Sequence, residues 1–270
     1  MWTLFLTNEG EVIMKHVFSA ALISAISVAS LGAANAATAV DVELQLLVDV
    51  SGSVDSSEFA LQRDGYVNAF KTDAIQNAIL GTSNGRLGKI AAELIYWSSA
   101  SQQAVAVGWS LLDSVSSINT FADAIAAAAR PYSGGTDADS AINFGYPRFN
   151  TNDYEGTTQV IDVSGDGTSS ATWTAAARDA ALAAGIDRIN GLPIGGEKAV
   201  EDFYAKSVIG GTGSFLVAAA TFGDFSNAVQ KKLELEITGG NPAPVPLPAA
   251  VWLLGGALAG LGAVRRRERS

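Results

Sequence analysis

Between residues 42 and 235, apolar runs of strand length alternate with stretches whose apolar residues recur at helical spacing. Residues 42–50 (VELQLLVDV) form a near-continuous apolar strand. Asp55 then reads as a helix N-cap, with Glu58 three residues on, and Phe59, Tyr66, Val67 and Phe70 recur at helical spacing behind it. Residues 89–97 and 104–112 read as two strands whose polar link is too short for a crossover, so they predict an antiparallel hairpin. An Ala-rich helix over 118–129 stops at Arg130 and Pro131. A strand follows at 157–164, a helix at 173–184 closed by Gly185, and a strand at 188–194 weakened by Gly191 and Pro193. Helix, strand and helix are expected at 200–208, 214–220 and 225–235. There is no internal repeat. The alternation predicts one α/β, doubly wound domain over 37–240, with a mostly parallel six-stranded sheet, helices on both faces and one antiparallel edge strand.

Both ends read as addresses. From Met14 the chain runs MKHVFSAALISAISVASLGAANA, with Lys15 and His16 before an apolar stretch and Ala34, Asn35 and Ala36 fitting the small-x-small cleavage rule. Residues 14–36 are therefore expected to be a signal peptide and residues 1–13 an upstream extension from a misplaced start. At the other end, Pro242, Pro244, Pro246 and Pro248 make an extended spacer over 241–248. Residues 249–264 are an uncharged run of 16, followed by Arg265, Arg266 and Arg267. As a helix that run is about 24 Å long, marginal for crossing a bilayer, with the arginines on the cytoplasmic side. Residues 245–267 resemble the VPLPA variety of PEP-CTERM sorting tails of Gram-negative bacteria. The resemblance implies transient inner-membrane retention, cleavage by an exosortase-like sorting protease and export toward the cell surface; a permanent C-terminal anchor is the alternative.

Composition narrows the chemistry. The chain is 48% hydrophobic and 16% charged, enough to bury a sizeable core. Its net charge is −10, and residues 37–244 alone hold 12 Lys+Arg against 24 Asp+Glu, which argues against a nucleic-acid partner. There is no cysteine, and the only histidine is His16, inside the expected signal. A mature chain with neither has no Ser-His-Asp triad and no thiolate or imidazole metal ligand. Any metal site must be built from oxygen, which favours Mg²⁺, with Mn²⁺ or Ca²⁺ as alternatives.

Three segments offer such oxygens. Asp49, Ser51 and Ser53 sit where the first strand ends, the place at which doubly wound sheets bind ligands, and alternate spacing lets all three aim at one point. A Gly-rich loop, residues 133–137, supplies Ser133, Thr136 and Asp137, with Asp139 just beyond. A third strand runs through VIDVSGDG to Asp166. Asp162 lies inside that strand, where an unpaired carboxylate is costly. Either it supports the metal ligands from behind, the reading preferred here and extended to Asp137, or it pairs with a basic side chain.

The D-x-S-x-S motif, the later Thr and the later Asp resemble the metal-ion-dependent adhesion site of the von Willebrand factor type A family. By that match Asp49, Ser51, Ser53, Thr136 and Asp166 hold the cation. Over about residues 40–238 the chain is similar to uncharacterised secreted bacterial proteins of this fold, which share runs like DVSGSVDSSEFALQRDGY, VIDVSGDG, INGLPI and VIGG. The resemblance implies a secreted binding module, not an enzyme, in which an acidic side chain from a protein partner completes the metal shell. A metal-dependent hydrolase, and a structural surface or matrix protein with a vestigial site, are the competing readings.

Overall fold

The computed structural model describes residues 36–240; the expected upstream extension, all of the expected signal peptide but Ala36, the Pro-rich spacer and the sorting tail lie outside them. The first strand, β1 (Thr38–Asp49), is buried along nearly its whole length. Such a strand needs cover on both faces, and it has it. β1 pairs in parallel with β2 (Ile90–Trp97) on one side and with β4 (Tyr154–Gly165) on the other. β3 (Gln103–Leu112) returns antiparallel along β2, as the short link requires. β5 (Arg188–Pro193) adds in parallel to β4, and the two-residue β6 (Gly210–Gly211) closes that edge antiparallel to β5. The order is β3-β2-β1-β4-β5-β6, a mostly parallel six-stranded sheet of the doubly wound class.

Alternate residues of each strand serve the two faces. Leu44, Leu46 and Val48 pack under α1 (Ser56–Phe70), α2 (Asp73–Leu80), α3 (Val115–Ala127) and α7 (Phe225–Thr238). Leu47, Ile161 and Val163 pack under α4 (Ala138–Gly145), α5 (Ala171–Ala183) and α6 (Lys198–Phe203). α1 starts as its sequence predicts: Asp55 accepts from the backbone of Ser57 and Glu58, and Glu58 accepts from the Asp55 N–H. Because β1, β2, β4 and β5 run in parallel, Asp49, Trp97, Gly165 and Pro193 end at one edge of the sheet. That edge carries the candidate site.

Two expectations need correction. The strand expected at 214–220 is reduced to single parallel bridges, Gly191 to Leu216 and Ile194 to Ala219. The Phe215 N–H donates to the Asn190 side chain at 3.0 Å, not to the neighbouring backbone, and the ladder is interrupted there. The helix expected at 200–208 is α6 followed by a π-helical turn, Tyr204–Val208. Among the described residues no helix is long and apolar enough to cross a membrane.

Candidate metal centre

Asp49 closes β1 with its side chain fully enclosed. Its Oδ1 accepts the Ser51 N–H at 2.7 Å, while Oδ2 is buried with no hydrogen-bond partner among the described residues. The next turn folds the Ser51 hydroxyl, also fully enclosed, to 3.1 Å from Ser53 Oγ. Thr136 Oγ1 donates to Ser51 Oγ at 3.1 Å, and Ser53 Oγ donates to Asp166 Oδ1 at 2.7 Å. With Thr136 donating to it, Ser51 is left to donate to Ser53, so the hydroxyls relay in one direction toward the Asp166 carboxylate. The five residues that the sequence singles out are thus joined through four side-chain and backbone contacts, from three separate segments.

Backbone contacts fix the segments against each other. Gly52 N–H donates to the Gly134 carbonyl at 2.7 Å, and a Cβ at Gly52 would stand 3.1 Å from the Ser133 carbonyl oxygen. The Gly135 carbonyl accepts from Ser98 Oγ at 3.0 Å, and its N–H donates to Ser99 Oγ at 2.7 Å. Arg130 clamps the first turn: its Nη2 donates to the carbonyls of Val50 (3.0 Å) and Ser51 (2.7 Å). Its Nε bonds the Tyr132 carbonyl at 3.0 Å, and its guanidinium lies 5.9 Å from the Phe59 ring. The sequence reading treats Arg130 only as a helix stop; its positioning role depends on a fold-back over some 80 residues that no local signal announces.

Burial pushes the Asp49 carboxyl up to about 7, and Asp166 adds to the shift; hydrogen bonds from Ser51 and the charge of Arg130 oppose it. Tyr204, from the π-helical turn, is a second missed neighbour. It is buried, its hydroxyl has no partner among the described residues, and burial with the charges of Asp49, Asp166 and Asp162 lifts it well above its ordinary range. Asp49 Oδ2 and Tyr204 Oη lie 2.7 and 2.9 Å from the point where a Cβ would stand on Gly165. Two orphaned polar atoms therefore meet across that glycine.

The supporting carboxylates behave otherwise. Asp162 shares the Leu46 face of the sheet, away from Asp49, and pairs with Lys232 at 2.5 Å. Of the two alternatives for Asp162 it is the basic partner that the structure shows, because strand alternation turns residue 162 to the face covered by α7. Asp137 caps α4, accepting weakly from Ser140 N–H at 3.4 Å, and makes no bond to the hydroxyl relay. Asp139 beside it is pushed up to about 6 by burial and by Asp137.

The donor set fits a hard divalent cation. Among the described residues no three Asp, Glu, His or Cys side chains gather at one point. Two carboxylates and three hydroxyls do gather, and the buried Asp49 Oδ2 has no hydrogen-bond partner among the described residues, a lone pair that a cation would take up.

The fold recurs in solved structures of low identity. The pilus adhesin SpaC from Lactobacillus rhamnosus GG (open conformation) superposes with a TM-score of 0.52 at 14% identity, covering 73% of this chain and 30% of the adhesin. Proximal thread matrix protein 1 from the mussel byssus, in a structure described as having a zinc occupied MIDAS motif, gives 0.52 at 12%, covering 75% and 47%. The PilB minor pilin from Streptococcus sanguinis gives 0.52 at 13%, covering 73% and 62%. This chain thus spans less than half of the first two proteins and under two thirds of the third. No curated protein matches it. Residues 39–241 match the family described as "Protein of unknown function (DUF1194)", and the chain belongs to that family.

Proposed function

We propose that the chain is an exported, divalent-metal-dependent binding module, in which a carboxylate from a protein partner completes the metal shell. The observation that carries this reading is the buried, unpartnered Asp49 Oδ2 beside a one-way hydroxyl relay. Asp49, Ser51, Ser53, Thr136 and Asp166 would hold the ion, with Mg²⁺ the favoured occupant and Mn²⁺, Ca²⁺ or Zn²⁺ the alternatives. When bound, the cation supplies a positive anchor for a partner's acidic side chain. Asp49 contributes the enclosed charge, and Arg130 holds the turn that presents Ser51 and Ser53. Tyr204 stays protonated and keeps a donor close to Asp49.

Asp166 also lines a groove of about 450 Å³ with Glu58, Leu61, Ile194, Glu197 and Phe222, where the flanking residues of a partner would lie. Likeness to a pilus adhesin, a minor pilin and a byssus matrix protein supports both the binding role and export. The test is thermal melting of the purified chain with and without millimolar Mg²⁺ or Mn²⁺, together with immobilised acidic peptides. Stabilisation and metal-dependent peptide capture, both lost in Asp49→Ala, are expected. Identical melting curves with and without metal overturn the reading.

A further inference from the structure

A second cluster of buried charge stands on the opposite face of the sheet. Lys232 Nζ on α7 lies 2.5 Å from Asp162 Oδ1 on β4 and 2.5 Å from Glu236 Oε1, one helical turn on. All three side chains are fully enclosed. Asn190 of β5 donates to Glu236 Oε1 at 2.9 Å, and the Phe215 ring centre lies 6.0 Å from the ammonium. Both carboxylates sit on the same ammonium, yet Asp162 Oδ2 and Glu236 Oε2 have no hydrogen-bond partner among the described residues. Two carboxylates on one ammonium leave a surplus negative charge in a dry core, a costly arrangement. One added proton cancels that charge and gives one orphaned oxygen a donor.

We propose that Asp162, Lys232 and Glu236 form a proton-binding site that joins α7 to the sheet, with the two carboxyls sharing a single proton at neutral pH. Glu236 also lines a surface pocket of about 220 Å³ with Asp41, Arg86, Thr158, Arg188 and Thr238, which gives the proton a route to solvent. Burial pushes Glu236 up to about 7, with the Asp162 charge adding to it, and burial raises Asp162 against the pull of Lys232.

Asp41, Arg86 and Arg188 are the charged groups that share the pocket with Glu236, and none of them forms an ion pair with Asp162 or Glu236. From β1 the neighbour of Asp162 is Leu46. Tyr66 of α1 donates to Ser164 at 3.3 Å, and both Tyr66 and Tyr204 are held well above their ordinary range. A raised folded-state value means that the proton favours the fold at low pH, and this contribution is lost as pH rises through about 7.

The full chain labelled with ¹³C at Asp and Glu carboxyls, in wild type and in Asp49→Asn, tests this by NMR titration. A buried Glu carboxyl titrating near 7 in both, and absent from Glu236→Gln, is expected. The folding constant should fall by about tenfold from about pH 6 to about pH 8 in the Asp49→Asn chain, and much less once Asp162→Asn is added. Ionised carboxyl signals for both residues, unchanged across that range, overturn the proposal, even if Asp162→Asn does not fold.

Discussion

Replacing Gly165 by alanine strikes the candidate site through packing alone. The added Cβ would stand 2.7 Å from Asp49 Oδ2, 2.8 Å from Asp49 Cβ and 2.9 Å from Tyr204 Oη. Neither neighbour has room to retreat. Asp49 is enclosed and tied to the Ser51 N–H, and the Tyr204 ring already packs where a Cβ on Gly191 would stand 2.8 Å away. Overpacking of a tight core costs about 1–3 kcal/mol, and three contacts under 3 Å on rigid groups place this case at about 2–3. For a domain of roughly 200 residues that lowers Tm by roughly 4–12 °C. Urea unfolding measures the loss against Gly108→Ala as control, where the nearest atom to the new methyl is Val105 Cγ1 at 4.0 Å. The control should stay within about 0.5 kcal/mol of the parent. Because the clash falls on Asp49, stabilisation by Mn²⁺ should shrink as well. A Gly165→Ala protein as stable as the control, with an undiminished response to Mn²⁺, refutes the reasoning.

Two further outcomes are expected. Burial pushes the Asp49 carboxyl up to about 7, so a proton held there favours the metal-free state at low pH and is lost above that value. Holding a cation requires the carboxylate, and Mn²⁺ affinity should therefore rise by about tenfold between about pH 6 and about pH 8. Isothermal titration across that range checks it, and a pH-independent affinity speaks against it. Arg130→Met removes the two bonds to the Val50 and Ser51 carbonyls, and should cost about 1.5–3 kcal/mol while weakening metal binding. Unfolding curves and Mn²⁺ titrations that both match the parent would show that Arg130 positions nothing.

Much of this architecture is legible in the chain because its central strands are buried on both faces and read as apolar runs. The hairpin of β2 and β3 follows from a link too short to cross the sheet, and the start of α1 from Asp55 and Glu58. Short elements are not legible: α2 and α4 are eight residues each, too brief for periodicity to separate them from loop. Gly191 looks like a strand breaker in sequence, yet it is the clearance that the Tyr204 ring needs. Of the site, Asp49, Ser51, Ser53 and Asp166 stand out as oxygen-bearing residues at strand ends, whereas Thr136 is set apart from Ser133, Asp137 and Asp139 only by the resemblance to the adhesion-site motif. Arg130, Tyr204 and the Lys232 partner of Asp162 do not stand out. Each acts across tens of residues, through a fold-back, a π-helical turn or strand alternation that determines which face a side chain joins.

The central claim is a divalent cation among five oxygen-bearing side chains, four just at or after the ends of β1 and β4 and Thr136 in the loop before α4. Anomalous diffraction from crystals of the protein grown with Mn²⁺ tests it most directly. The account predicts one strong anomalous peak bounded by Asp49, Ser51, Ser53, Thr136 and Asp166, and none there in Asp49→Ala crystals. Parent crystals with no peak at that position, in saturating Mn²⁺, contradict it.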